Sequence, residues 1–427
     1  MLSIKIPPAL KVRRFTIFWI GLTISVAGSQ MQFWALLWHL SRLTDKPIVV
    51  SGLGIVRFLP ILAFSLVAGA VADVLNRRLI LFITQTTLML VAVGLGVLTL
   101  EGHIQIWHIY LLTAIQAAAS TFDTPARQAL TPNLVPRELY SNAFSLQSIA
   151  SNTGSIVGPA LSGLVIASYS LYWVYFINAI SYLAVLIALV MIGDIPQTGV
   201  PATSPRVISL PAIREGIQFI VHSPIILSSM ILDFFATFFS SANTLLPFIA
   251  QQILKVSVVQ YGWLSAGQSI GAVTVGLIFS QRANIRRQGK LLLGAVAFFG
   301  IATVVFGLSR NFFLTLFALI FVGASDSVST ILRNTIRQIQ TPDYIRGRMV
   351  SINQIFFSGG PQLGEIESGA VAQAFGLQAA VVSGGIGCII TVLAIIGVWP
   401  QIWRYRGDEP VLAPSAGREV SRQSRGT

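Results

Sequence analysis

The segment Arg127-Gln128-x-x-Thr131-Pro132 returns as Arg337-Gln338-x-x-Thr341-Pro342, an offset of 210 in a chain of 427 residues. The same offset carries Gly154 onto Gly364. Each copy ends one long apolar run and precedes another. A polar loop repeated at half the chain length, between apolar runs, implies two homologous membrane bundles in tandem. Secondary transporters are built this way, with parallel halves around a central substrate path.

Composition supports a membrane chain. Apolar residues make up 54% of it and charged residues only 10%, with a mean hydropathy of +0.75. A soluble chain of this length needs more charge to cover its surface, so most of this surface faces lipid. Runs at 15–40, 48–72, 79–100, 106–127, 141–167, 173–193, 224–249, 259–280, 290–308, 312–332, 349–375 and 379–400 each approach the ~20 residues that a bilayer core requires. The expected fold is therefore all-α and integral to the membrane, with twelve transmembrane helices in two pseudo-symmetric six-helix bundles. The first run lacks a small-residue cleavage site and reads as a retained helix rather than a signal peptide.

The net charge of +13 is distributed by topology. With the N-terminus in the cytoplasm, 23 of the 28 Lys and Arg residues fall in inside loops or the tail. Arg42, Lys46, Lys255 and Arg310 fall outside, and Arg57 lies within the second run. That asymmetry is the positive-inside rule, with both termini cytoplasmic. It removes the reason to read the basic balance as nucleic-acid binding.

Cys388 is alone in the last run, and the four histidines (His39, His103, His108, His222) have no ligand spacing. Neither a disulfide framework nor a metal site is expected. No Gly-x4-Gly-Lys-Ser/Thr occurs, so no nucleotide domain drives the chain. The domains expected are 1–193 as the first six-helix bundle, 194–222 as a cytoplasmic linker, 223–400 as the second bundle and 401–427 as a disordered tail. Pro196, Pro201, Pro205 and Pro211 break the first part of the linker. Residues 212–221 read as a short amphipathic helix with Ile213, Ile217 and Ile220 on one face.

Gly69, Asp73 and the pair Arg77-Arg78 follow the second run at intervals of four. This spacing resembles the loop signature of the major facilitator superfamily, although Val74 stands where a basic residue is usual and Asn76 where a glycine is usual. The resemblance implies that Gly69 admits a close neighbour helix and that Asp73 steadies the N-terminal end of the eleventh helix. Gly154, Gly158, Pro159 and Gly163 in the fifth run resemble the antiporter signature of the drug-exporting branches, with Ser162 in place of one glycine. Glycines four apart make a flat face, expected to pack on a helix of the other half, and Pro159 bends the helix. Residues 122–136, together with Asp326-x6-Arg333, 341–348 and Gly364-Glu-Ile-Glu-Ser-Gly369, resemble the enterobactin-exporter-like group, also called transmembrane secretion effectors. The resemblance spans about residues 14 to 400.

Ionisable residues within spans are costly and mark function. Asp123, Asp233 and Asp326 lie in runs four, seven and ten, which in a major facilitator bundle line the cavity with run one. Asp233 has no basic residue near it in sequence and is the first choice for a titrating group. Asp326 shares a helix face with Arg333, so a proton site and a plain ion pair both stay open there, as for Asp123 beside Arg127. Arg57 and Glu365 lie at matching depths, about 14 and 15 Å from the outer ends of their runs at 1.5 Å per residue. Glu367 is about 200° round the helix from Glu365 and would face the cavity instead. An Arg57–Glu365 pair would latch the halves; pairing with Glu367, or snorkelling outward, remains open.

These readings imply a proton-coupled antiporter that exports a small amphiphilic molecule (drug, siderophore or secondary metabolite) by alternating access. A uniporter or importer of a small solute is the alternative. A membrane enzyme acting on lipids would need paired acidic motifs or a His/Ser constellation, neither of which is visible. The chain is expected not to be an enzyme and to hold no cofactor. The expected partners are a small-molecule substrate, protons and membrane lipid, without nucleic acid; the chain is expected to be a monomer in the bacterial inner membrane.

Overall fold

The computed structural model describes residues 7–194, 210–281, 286–342 and 346–407. Twelve long helices are present: α1 (Arg13–Leu43), α2 (Leu53–Val74), α3 (Arg77–Leu100), α4 (Ile106–Leu134), α5 (Tyr140–Ser168), α6 (Leu171–Ile192), α7 (Pro224–Ser240), α8 (Val258–Ser280), α9 (Gln288–Leu308), α10 (Phe312–Gln340), α11 (Arg346–Phe375) and α12 (Leu377–Val398). Short polar residues start several of them. The Asn76 side chain accepts from the Arg78 and Leu79 amides, Asn311 from Phe313 and Leu314, and Ser257 forms a capping box with Gln260. These caps satisfy donors that a helix start leaves open. Asn76, where the superfamily pattern has glycine, is thus the N-cap of α3.

Ten segments among the described residues are long and apolar enough to cross a membrane. The two long helices outside that set are α4 and α11. They carry Gln116, Asp123, Arg127 and Gln128, and Glu365 and Glu367, respectively. Both still span, because much of their polar surface turns into the protein rather than to lipid.

The sequence repeat is also a repeat in space. A Cβ on Gly154 of α5 would meet Val26 and the Ala27 amide of α1, and a Cβ on Gly364 of α11 would strike the Phe238 carbonyl of α7. Phe238 lies 210 residues beyond Gly28, so the same helix pair packs by the same device in each half. Across the halves, α8 packs on α5, and α11 packs on α2.

Twelve traversals put the start of α1 and the end of α12 at one end of the molecule, here the terminal end; the other is the far end. At the far end one apolar cluster takes residues from both halves, including Trp34, Trp38 and Leu53 with Leu245, Phe248 and Tyr261. Three hydrogen bonds cross the halves there: Ser51 Oγ to Thr244 Oγ1 at 2.9 Å, Gln251 Nε2 to Ser41 Oγ at 2.8 Å, and Tyr261 Oη to the Trp34 carbonyl at 3.0 Å. At the terminal end the apolar clusters divide by half. Phe15, Leu81, Leu130 and Leu189 form one, and Leu232, Leu292, Leu332 and Ile402 another. The far end is sealed and the terminal end is parted.

The short helix Leu210–Val221 precedes α7. Its Ile220 is buried with Ile226, Met230 and Met349, whereas Ile217 is about half exposed, so the two do not share one environment. Ile213, the linker prolines and the tail beyond residue 407 lie outside the described side chains.

Candidate functional site

A cavity of about 1000 Å³ lies between the halves on the parted side of the seal. Its N-terminal wall comes from α1 (Ser29, Gln30, Gln32, Phe33), α2 (Arg57, Ile61, Ser65, Gly69) and α4 (Thr113, Gln116, Ser120, Thr124, Gln128); Asn243 and Glu365 come from the C-terminal half. On α4 the spacing 113, 116, 117, 120, 121, 124, 128 is the i, i+3, i+4, i+7 stripe of one helix face. Here the stripe is of small and amide side chains rather than apolar ones.

Among the described residues one acid and one base line this space. The Arg57 guanidinium carbon sits 4.6 Å from the centroid of the Phe33 ring. Among the described residues Arg57 makes no ion pair within 4.0 Å. The Glu365 carboxyl is 6% exposed and stands against α2, where a Cβ on Gly54 would lie 2.6 Å from the Gln362 carbonyl and 3.2 Å from Glu365 Oε2. Arg57 is the base whose field reaches Glu365. The two share a cavity but form no ion pair within 4.0 Å, so the expected Arg57–Glu365 pair is not made in this structure. Glu367 is half-buried and is not part of the lining, contrary to the expectation that it faces the cavity.

The three aspartates were expected to share one aqueous space, and this is corrected. Asp123 is drawn into its own half, accepting from Gln85 Nε2 at 2.7 Å and Thr84 Oγ1 at 3.1 Å, with Arg127 at 3.7 Å. Asp233 is 1% exposed and lies 2.9 Å from Arg333 Nη1 and 3.5 Å from Arg337 Nη2. The basic residues that sequence proximity failed to supply come from α10, a hundred residues away. Arg333 is shared with Asp326, at 3.7 Å, whose side chain stays about half accessible. The pairing of Asp326 with Arg333 along one helix face is present, but Asp233 is the closer partner. Asp233 is thus held between two arginines inside the C-terminal half.

The glycine motifs divide between tasks. Gly154 and Gly158 pack on α1 of their own half, not on the other half as expected. Only Gly163 crosses. A Cβ there would meet the Val258 carbonyl at 2.6 Å and the Val259 Cα at 3.1 Å, and a Cβ on Gly262 would meet the Pro159 carbonyl at 2.7 Å. Gly69 has open space, with nothing within 4 Å of an added Cβ. The close approach expected there is absent because the halves are parted at that end. The side chain of Asp73 lies outside those described, as do those of Arg346 and Arg348. Arg77 donates to the Ala129 carbonyl at 3.0 Å and to Asn133 Oδ1 at 3.2 Å, and Arg78 donates to the Leu189 carbonyl at 2.9 Å and pairs with Asp194 at 2.6 Å. Both arginines bind within the N-terminal half.

A buried polar ladder on the inner side of α6 was not anticipated. Asn178 Nδ2 donates to Gln32 Oε1 at 2.7 Å, Gln32 Nε2 donates to Gln116 Oε1 at 3.0 Å, and Tyr182 and Ser29 hydroxyls lie 2.9 Å apart. It fixes the orientation of the cavity amides. Asn178, Ser181 and Tyr182 within an otherwise apolar run were the available sequence signal.

The family model described as transmembrane secretion effector matches residues 7–405. The chain belongs to the transmembrane secretion effector family. It is similar to the enterobactin exporter EntS of Escherichia coli O157:H7, 26% identical over 352 residues, 82% of this chain and 83% of that protein. The same exporter of Escherichia coli strain SMS-3-5 is 26% identical over 350 residues. Among solved structures, the nucleoside transporter NupG superposes with a TM-score of 0.71 at 13% identity, covering 92% of this chain and 99% of that one. A bacterial homologue of the human lysosomal transporter Spinster, inward-facing and unoccupied, gives 0.70 at 14% identity, covering 94% and 97%. These establish a major facilitator fold for this family member, a multi-pass membrane transporter.

Proposed function

We propose that this transporter is a proton-coupled antiporter that exports a small amphiphilic molecule from the cytoplasm of a bacterial cell by alternating access. The observation that carries the reading is a cavity of about 1000 Å³ between two pseudo-symmetric halves, sealed at one end and parted at the other. A cavity of this size suits a drug-sized ligand, and its mix of Phe33, Leu36 and Ile61 with amide and hydroxyl groups suits an amphiphile. The concentration of Lys and Arg on the terminal end supports a cytoplasmic assignment for it, which makes the described state inward-open. Similarity to an enterobactin exporter supports outward transport.

For coupling we assign Glu365 first. Among the described residues it is the one carboxyl in the cavity wall, and none of their cations lies within 4.0 Å of it. Asp233, between two arginines, serves instead to neutralise them. The transporter works as a monomer with protons and its cargo as partners, and without a catalytic step. A proton moving down a membrane potential supplies about 2.3 kcal/mol per 100 mV, enough to drive uphill export of a cargo several-fold to tens-fold. To test this, a cargo is first nominated by the sensitivity of a deletion strain to a compound panel, then followed in proteoliposomes. Uphill flux is expected only with an imposed proton gradient; the same flux without one would defeat the antiport reading.

A further inference from the structure

Arg57 is a membrane-embedded cation with a ring packed against it and, among the described residues, no ion-pair partner within 4.0 Å. Pro47, which opens the turn before α2, lies ten residues away, about 15 Å at 1.5 Å per residue. An unpaired charge at such depth is costly and persists only where water or a ligand supplies what the protein does not. Phe33 packs against the guanidinium at 4.6 Å without accepting from its N–H donors, and Arg57 lines the cavity, where a ligand can reach them. Glu365 is poorly placed to consume those donors. It is 6% exposed, is tucked against Gly54, and forms no contact with Arg57 within 4.0 Å. Around Arg57 the lining is Phe33, Leu36 and Ile61 on one side and Gln30, Gln116 and Asn243 on the other.

We infer that Arg57, backed by Phe33, is the anchor for an anionic oxygen group, such as a carboxylate, sulfonate or phosphate, on an amphiphilic cargo whose apolar body lies along the same wall. The planar fork of arginine matches such groups two bonds at a time. A cationic cargo is disfavoured, since the acid that would receive it is nearly hidden whereas the base is presented. The inference rests on the reading of this cavity as the cargo path and adds the charge class of the cargo.

The test uses the full chain in phosphatidylcholine nanodiscs and three probes with one ring system: pyrenebutyrate, pyrenebutanol and pyrenebutylamine. Binding is read as energy transfer from tryptophan to pyrene, with empty discs subtracted. The expected result is a preference for the carboxylate over the alcohol by about tenfold or more, the factor a charge-assisted hydrogen bond supplies. Arg57→Gln is expected to bring the two probes within about twofold of each other, and Arg57→Lys to keep part of the preference. The comparison of probes on the native chain needs no variant, so a misfolded variant does not shelter the inference. Equal binding of carboxylate and alcohol, tightest binding of the amine, no saturable carboxylate binding, or a preference that survives Arg57→Gln would each overturn it. Repeating the titration with phosphatidylglycerol in the discs separates two sources of the anion. Competition supports the same anchor with a lipid headgroup on it, and unchanged binding supports the anchor with a soluble cargo. No gradient is present, so this result stands apart from the success or failure of proton coupling.

Discussion

Asp233 illustrates how a residue's neighbours in the fold override its neighbours in the chain. In sequence it is isolated among apolar residues; in space it is clamped by Arg333 and Arg337, all three nearly fully buried. Removing one member of a buried ion group leaves an uncompensated charge and costs about 3–5 kcal/mol. Asp233→Asn is therefore expected to lower the melting temperature of the purified transporter by several degrees, measured in detergent by intrinsic fluorescence. Glu365→Gln is expected to leave it within about one degree, because Glu365 has no ion partner in contact to lose. A stable Asp233→Asn protein would show that the arginines find other partners. The sequence revealed that charges are buried and which runs hold them. It concealed which pairs they make, because partners on α7 and α10 are fixed by packing between distant helices.

The helices carry the repeat, and here the chain is most readable. Apolarity and length place all twelve, and in the structure α11 packs on α7 as α5 packs on α1, with contacts 210 residues apart. What a glycine faces was less readable, since Gly-x-x-x-Gly marks a flat surface without naming the helix that meets it. Gly163 and Gly69 now make opposite predictions. Gly163→Ala sets a Cβ 2.6 Å from a backbone carbonyl of α8, so the seam must open by a few tenths of an ångström. It is expected to weaken the described state by about 1–3 kcal/mol, the usual penalty for overpacking. That shifts the population toward the opposite state by about fivefold or more. Gly69→Ala meets nothing in the described state and is expected to disfavour only a state closed at the terminal end. Distances between spin labels placed on the terminal ends of α4 and α10 check both: shorter mean distances for Gly163→Ala, and unchanged or longer ones for Gly69→Ala. The reverse pattern would contradict the assignment of the two glycines.

At the scale of the whole molecule, the seal at the far end and the gap at the terminal end require the halves to rock about the cavity if cargo is to leave on the far side. Ser51 and Thr244 lie on opposite halves with hydroxyls 2.9 Å apart, and the native Cys388 is buried elsewhere. A Ser51→Cys, Thr244→Cys double variant is expected to lose transport on oxidation and recover it on reduction; undiminished transport by the oxidised form would mean that the far end need not open. Coupling is the central claim, and one dissection reaches it most directly. In proteoliposomes carrying Glu365→Gln, cargo–cargo exchange without a gradient and uphill cargo flux under a proton gradient are measured side by side. The account predicts exchange within about twofold of the native chain, since binding and rocking persist, and at least a tenfold loss of gradient-driven flux, since the proton no longer contributes its about 2.3 kcal/mol per 100 mV. Native-like gradient-driven flux in that variant, or loss of both activities together, would contradict it.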